Sequence, residues 1–425
     1  MPNQTRLRKL SLLLLVLFSS ANLLSYWHHL PRTEASADSS DTVKPKALTD
    51  LFPRWYGTRE LLLHHLDPYG VEVSNAIQIA FYGKILDPSL PHEPRDQQRF
   101  AYPLYVVFLM APTANLDFHT VRIIFWWLLL IATVVSAFLW LRFLRLKLSP
   151  SALIALLAIL LSSIPAMQGI SILQLGLLVA CLIAAAALSI ISGRLFLAGI
   201  LLALATIKPQ LCLLPIAWFA LWALSNWRQR RSLLLGFSAT LAALIVGAEF
   251  LQPGWLLRYP DALRAYAGYT NATSLLGVLF PETLRWILTL LLLLIAAAHS
   301  WRSRHQPPDS LAFAISLGLV FTLTVLIVPT VIPPFNHVLL LPVALLMILH
   351  WKKLWRTNAL NRVACLTFAG FAILPWILAL ILLFLPAASQ PSRALWSAPL
   401  SASLALPFAA FGSLMLLRRL QTAPP

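Results

Sequence analysis

Stretches of about 20 mostly apolar residues, the length a helix needs to cross a bilayer, recur along this chain and constrain its fold more than any other feature. They fall at roughly 9–27, 119–141, 149–167, 171–192, 195–207, 210–227, 232–250, 283–300, 310–330, 335–351, 362–384 and 398–417. With 59% hydrophobic and 11% charged residues among 425, a soluble domain could not hide so much apolar surface. The pattern predicts an all-α polytopic membrane protein, a single domain over 1–425 with about twelve transmembrane helices.

The formal net charge of +17 would suggest nucleic acid in a soluble protein. Here the basic residues cluster at alternate span ends: Arg6, Arg8 and Lys9; Arg142, Arg145 and Lys147; Arg194; Arg228, Arg230 and Arg231; Arg302 and Arg304; Lys352, Lys353, Arg356 and Arg362; Arg418 and Arg419. All fall on one side if the spans alternate, as the positive-inside rule requires, and no nucleic-acid partner is needed to explain them. Both termini are then cytoplasmic, and 28–118, 251–282 and 385–397 are extracytoplasmic. Ser25-Tyr26-Trp27 reads as an interfacial anchor rather than a signal cleavage site, so the first helix is expected to stay. Cys181, Cys212 and Cys365 lie in apolar runs without metal or disulfide spacing and are expected to pack as small hydrophobes.

Two stretches resist the simple alternation. The apolar segment 101–113 is too short to cross and is expected to be re-entrant or interfacial. Between the markers Arg194 and Arg228 two full spans do not fit, which predicts short or broken helices turning at Lys208-Pro209. Non-helical backbone at membrane depth is tolerated where it lines a cavity, so 207–210 is a candidate cavity wall. In the first outer loop, 34–48 reads as a polar linker, 54–66 as an amphipathic helix lying on the membrane, and 74–87 as a second such helix.

Eleven of the fifteen carboxylates lie between Glu34 and Asp117, which confines acid–base chemistry largely to that loop. Two readings fit Asp50: an N-cap for the following helix, or a general base at the membrane surface. Asp67-Pro68-Tyr69 reads locally as a turn. Lys208, a charge inside apolar sequence, is either a cation facing an anionic group or a lysine snorkelling to the outer interface. His337, in Pro333-Pro334-Phe335-Asn336-His337, lies where two spans meet on the outer side and is either structural or functional. No HExxH, P-loop, GxSxG or paired-cysteine motif occurs.

The order of these pieces resembles glycosyltransferase family 87, polytopic GT-C enzymes that use polyprenyl-phosphate sugars. The resemblance runs from about residue 50 to 345: Asp50, then Asp67-Pro68-Tyr69, Phe100-Ala101-Tyr102-Pro103, Gly169 to Gln174, Ala198-Gly199 to Ile207-Lys208-Pro209, Asn271 to Gly277, and Pro333 to His337. Arg54 stands where the family often has Tyr, Leu104 replaces a second Pro, and Phe335 is nearest to a missing Trp.

The resemblance implies a GT-C-like bundle that transfers a hexose, mannose first, from a polyprenyl-phosphate sugar to an envelope glycolipid or glycan. It implies a single inverting displacement on the extracytoplasmic side of a bacterial inner membrane. Asp50 is then the base, Lys208 and His337 hold the donor phosphate, and Asp67, Tyr69, Tyr102, Gln174 and Asn271 line the groove. No metal ligands or other cofactor are implied, with divalent-metal dependence left open. A lipid-linked sugar flippase or small-molecule transporter is the alternative. It predicts repeated halves and polar sites at the midplane, whereas no internal repeat is evident and the polar residues collect at one face.

Overall fold

The computed structural model describes residues 10, 13–14, 16–26, 48–87, 89–90, 93–270, 273–384 and 397–422. The described part of the expected first span is a helix, α1 (16–26). Most of the expected 34–48 linker, residues 271–272 with Asn271, and nearly all of the 385–397 loop lie outside the described residues. Among the described residues every regular element is helical, which is the all-α, GT-C-like class expected.

The first loop carries α2 (Phe52–His64) and α3 (Val71–Tyr82). A composite helix, α4 (Leu104–Thr113), follows. The next elements are α5 (Phe118–Phe143), α6 (Pro150–Leu161), α7 (Ile164–Ser171), α8 (Gly176–Ile191), α9 (Leu195–Ala205), α10 (Pro209–Leu224) and α11 (Trp227–Leu251). They are followed by α12 (Trp255–Tyr269), α13 (Leu275–Leu279), α14 (Glu282–Ser303), α15 (Leu311–Ile327), a 3₁₀ turn over Pro334–Leu340, α16 (Leu341–Thr357) and α17 (Ala359–Phe384). Helices Ala398–Ser403 and Leu406–Thr422 end the described chain.

Six of these helical stretches are long and apolar enough to cross a membrane, and α6 with α7, bent by 57°, would make a seventh. The expected spans at 171–192, 195–207, 210–227 and 310–330 are helices too, but of 16, 11, 16 and 17 residues. The length argument between Arg194 and Arg228 is met by a break: α9 ends at Ala205, α10 starts at Pro209, and Lys208 sits between them in non-helical backbone (φ −128°, ψ 78°). The segment 101–113 is a short, largely buried helix with 3₁₀ turns at both ends. Trp55 Nε1 donates to the Thr113 carbonyl (3.0 Å), and the Tyr105 hydroxyl bonds Thr206 Oγ1 (2.9 Å), so this short helix is clamped between α2 and the α9–α10 break.

Three local expectations change. Helix α2 does not lie on a surface with one wet face: Phe52, Arg54, Trp55, Gly57, Thr58, Glu60 and Leu61 are all buried, because α3 and α4 pack against it. The loop 251–282 contains a helix, α12, whose polar residues had read as loop. Tyr26 is fully buried against Leu23, Ile164, Met167, Ala379 and Leu382 rather than anchored at an interface.

The core of the bundle is α15, buried from Phe313 to Leu326 apart from Ala314. Its hydroxyls stay satisfied locally: Ser316, Thr322 and Thr324 donate to carbonyls one turn back, which lets polar residues sit in an apolar interior. Large apolar side chains point outward on the periphery, among them Trp127, Ile131, Leu290, Leu294, Val363 and Leu366, as a lipid-facing surface demands. Among the described residues, the clusters around Arg145, Arg230 and Arg304 lie at one end of the bundle. There Arg145 pairs with Asp309 (2.9 Å), and Arg230 Nη1 donates to the Trp222 and Arg304 carbonyls.

The tightest helix contact is α9 on α11, and small residues make it. A Cβ at Gly199 would sit on the Leu233 carbonyl oxygen and the Phe237 nitrogen, and one at Gly236 on the Phe196 carbonyl. Backbones this close are typical of membrane helices joined through small residues. Gly199→Leu is expected to lower stability by about 1–3 kcal/mol through overpacking, seen as a fall in the detergent melting temperature. Gly370→Leu, where an added Cβ meets open space, is expected to leave it unchanged.

Candidate functional site

Four interruptions of helical structure come together at the end of the bundle opposite the basic clusters. They are the entry to α2, the α7–α8 turn, the α9–α10 break and the turn before α16. Each contributes one polar side chain: Asp50, Gln174, Lys208 and Asn336.

The α7–α8 turn is sharp. Leu173 takes a left-handed backbone (φ 55°), uncommon for a bulky residue, and the Gln174 amide bonds back to the Gly169 carbonyl (2.7 Å). This turn aims the Gln174 side chain inward. Its Nε2 donates to Asp50 Oδ2 (2.8 Å), and its Oε1 accepts from Lys208 Nζ (2.9 Å) and the Tyr102 hydroxyl (3.2 Å). One amide therefore links the carboxylate to the amine. A second amide completes the lysine's surroundings, with Lys208 Nζ also donating to Asn336 Oδ1 (3.1 Å). The Phe335 ring lies 4.8 Å from the same nitrogen, within cation–π range. Lys208 is 4% exposed and makes no ion pair among the described residues. It reaches into the protein and does not snorkel.

Gly176 keeps this space open, since a Cβ there would meet Lys208 Nζ at 3.3 Å and Asn336 Oδ1 at 3.4 Å. Asn336 is held in turn by its Nδ2 donating to the Val331 carbonyl (3.3 Å). The backbone amide of Phe335 donates to Gln168 Oε1 (3.0 Å), tying the Pro334–Leu340 turn to α7.

Asp50 does not cap its helix. The N-cap position belongs to Leu51, with no side-chain cap bond. The Asp50 carboxylate is half-buried and faces Gln174, while its carbonyl accepts from the Arg54 guanidinium. Arg54, buried itself, lies over the Tyr102 ring (4.4 Å to the centroid). Burial raises the Asp50 pKa above the ordinary carboxylate value, and the charges of Arg54 and Lys208 only partly offset it. One carboxylate thus shares its surroundings with two basic side chains.

The other expected residues occupy a second ring. Asp67 makes the turn read from its sequence: Oδ1 accepts from the Tyr69 amide (3.0 Å), and Oδ2 pairs with Arg258 of α12 (2.7 Å). The Tyr69 hydroxyl donates to the Tyr102 carbonyl (2.7 Å) and so fixes the segment that presents Tyr102. Asn271 lies outside the described residues.

His337 is not joined to the Lys208 network. It is 3% exposed, neither ring nitrogen completes a hydrogen bond, and it lies near the Ser403 backbone. It lines a separate apolar cavity of about 370 Å³ bounded by α6, α16 and α17, with Ile164, Trp351, Phe368 and Trp376 in the walls. Asn336 and Tyr105 are the residues that sequence reasoning passed over, since an amide and a phenol carry no charge to mark them in an apolar run. Among the described residues no three His, Cys, Asp or Glu side chains gather as a metal-ligand group.

A family model described as glycosyltransferase family 87 matches residues 100–329, more than half of the chain. Tyr102, Gln174 and Lys208 fall inside the matched stretch, and Asp50, Asn336 and His337 lie outside it. No curated protein and no solved structure matches.

Replacing Gln174 by Leu would strand the Lys208 amine with one acceptor and leave the Tyr102 hydroxyl without its partner. A destabilisation of about 1–3 kcal/mol is expected from such unsatisfied buried groups. It should read as a lower melting temperature in detergent, with Gln174→Asn the milder change.

Proposed function

The chain belongs to glycosyltransferase family 87, and from that premise we propose that this membrane glycosyltransferase moves a hexose, mannose first, from a polyprenyl-phosphate donor. The acceptor is an envelope glycolipid or glycan. The observation that carries this reading is the Asp50–Gln174–Lys208 chain of hydrogen bonds. It sets a partly accessible carboxylate beside a buried amine that no carboxylate neutralises. A phosphate is a natural partner for that amine, since its hydrogen-bond acceptors are neutral amides and no carboxylate touches it.

The reaction is a single inverting displacement. The acceptor hydroxyl oxygen bonds to the sugar's anomeric carbon as the bond from that carbon to the phosphate oxygen breaks. The hydroxyl proton passes to the Asp50 carboxylate, and polyprenyl phosphate leaves with the electron pair. Lys208 Nζ stabilises the charge that grows on the leaving phosphate. Gln174 keeps base and cation at fixed separation, which is how preorganisation lowers a barrier. The isoprenoid chain suits the apolar cavity that His337 lines. His337, which lines that cavity one residue from Asn336, is the group proposed to meet the phosphate where it leaves that cavity.

The proposed setting is a bacterial inner membrane, with cytoplasmic termini at the basic end of the bundle and the Asp50 site extracytoplasmic. The positive-inside pattern supports this.

Transfer of labelled hexose from a polyprenyl-phosphate hexose to native lipid extract, by protein in nanodiscs, tests the reading. Asp50→Asn is expected to lower transfer roughly 10²–10⁴-fold with folding intact; full transfer by that variant would remove Asp50 as the base. Because the base must be ionised and burial raises its pKa, wild-type activity is expected to fall as the pH drops through a value above the usual carboxylate range. A rate that stays flat through that region would contradict the assignment.

A further inference from the structure

A polar cavity outside the bundle adjoins this site and is not used by the chemistry described so far. It measures about 580 Å³ and lies between Leu86, Asp87, Leu90 and the stretch 93–99 on one side and the face of α12 that carries Ala265, Gly268 and Tyr269 on the other. A smaller space of about 200 Å³ shares Arg99 and Ala265 with it and reaches Tyr69 and Ser74. The volume falls in the usual range for small-ligand pockets.

Its position ties it to Asp50. Tyr266 and Tyr269 lie edge-to-face on α12 (5.4 Å between ring centroids). Tyr69, which lines the smaller space, donates to the carbonyl of Tyr102, and the Tyr102 hydroxyl bonds the same Gln174 amide that holds Asp50. The ion pair between Arg258 and Asp67 anchors α12 over the loop.

The lining is neither apolar nor of one charge. Asp87, Glu93, Arg95, Gln97, Arg99 and Tyr269 supply acceptors, donors and an aromatic ring. Glu93 is fixed by Lys84 Nζ (2.7 Å) and the Asp87 amide (2.6 Å). Arg95 and Arg99 form no ion pair among the described residues. The Tyr269 hydroxyl faces the Arg99 backbone, so the α12 side of the cavity is tied to the 93–99 side.

We propose that this cavity is the acceptor subsite and that it holds carbohydrate, the sugar units adjoining the hydroxyl that receives the hexose. A pyranose ring offers donors and acceptors around its edge and an apolar C–H face for a tyrosine. A lipid chain would leave the arginines and carboxylates unpaired, and a simple anion would face Asp87 and Glu93. The inference rests on the transferase reading above and adds that the acceptor is recognised through its sugars rather than its lipid.

Gly268 gives a clean probe, because a Cβ there meets nothing within 4 Å and any larger residue favours a helix over glycine. Full-length protein in nanodiscs would be given labelled polyprenyl-phosphate hexose with two acceptors. One is native lipid extract, and the other is the water-soluble glycan released from it by mild alkali. The released glycan is expected to accept label or to compete with the intact acceptor. Gly268→Phe is expected to raise the acceptor concentration for half-maximal transfer at least about tenfold, equivalent to about 1.4 kcal/mol, while the donor's half-saturation stays as in wild type. Arg99→Gln should act in the same direction. Transfer to the lipid-linked acceptor with an inert released glycan and unchanged variants would overturn the subsite and leave the transferase reading standing. Absence of transfer from a bound donor to either acceptor would overturn both.

Discussion

Taking an amine out of water inside a membrane protein is expensive unless its N–H groups find acceptors, and the functional end of this structure follows from how Lys208 is accommodated. The chain supplies two neutral amide oxygens, from Gln174 and Asn336, and an aromatic face from Phe335. It supplies no direct carboxylate. Asp50 is instead held one hydrogen bond away, on the other end of the Gln174 amide. The site therefore keeps a carboxylate and a basic side chain close without a direct ion pair between them.

Breaks in helices make that arrangement possible. Lys208 reaches Gln174 only because α9 stops at Ala205 and α10 begins at Pro209. The short α9 is held by its backbone contact with α11 at Gly199 and Gly236. The left-handed Leu173 turns Gln174 inward, and the proline-rich Pro333-Pro334 turn brings Asn336 to the same point. Strained or irregular backbone gathered at one place is common at functional sites, and here each irregular segment delivers one of the interacting groups.

Much of this was legible in the sequence, for identifiable reasons. The shortage of residues between Arg194 and Arg228 demanded a break, and Lys208 marked where it falls. The acidic loop narrowed the search for a base to a few residues. What stayed hidden is pairwise. Asp50, Gln174 and Lys208 are 124 and 34 residues apart in successive pairs, and no local pattern says that one amide joins them. Helix α2 read as a surface helix because its charged residues stood out, yet Arg54 is buried over Tyr102. Nothing local marks α12 within the expected 251–282 loop, where Arg258, Asp261 and Arg264 interrupt its apolar residues. Arg258 pairs with Asp67 and Arg264 with Asp261.

The most direct measurement is a cryo-electron microscopy structure of the protein in nanodiscs with a polyprenyl-phosphonate hexose, a donor analogue that binds but does not transfer. A phosphonate oxygen is expected within hydrogen-bonding distance of Lys208 Nζ, about 2.7–3.2 Å. The anomeric carbon should face the Asp50 side and the isoprenoid should enter the cavity beside His337. An analogue resolved with its phosphonate away from Lys208, and Lys208 still bound to Gln174 and Asn336 alone, would contradict the account.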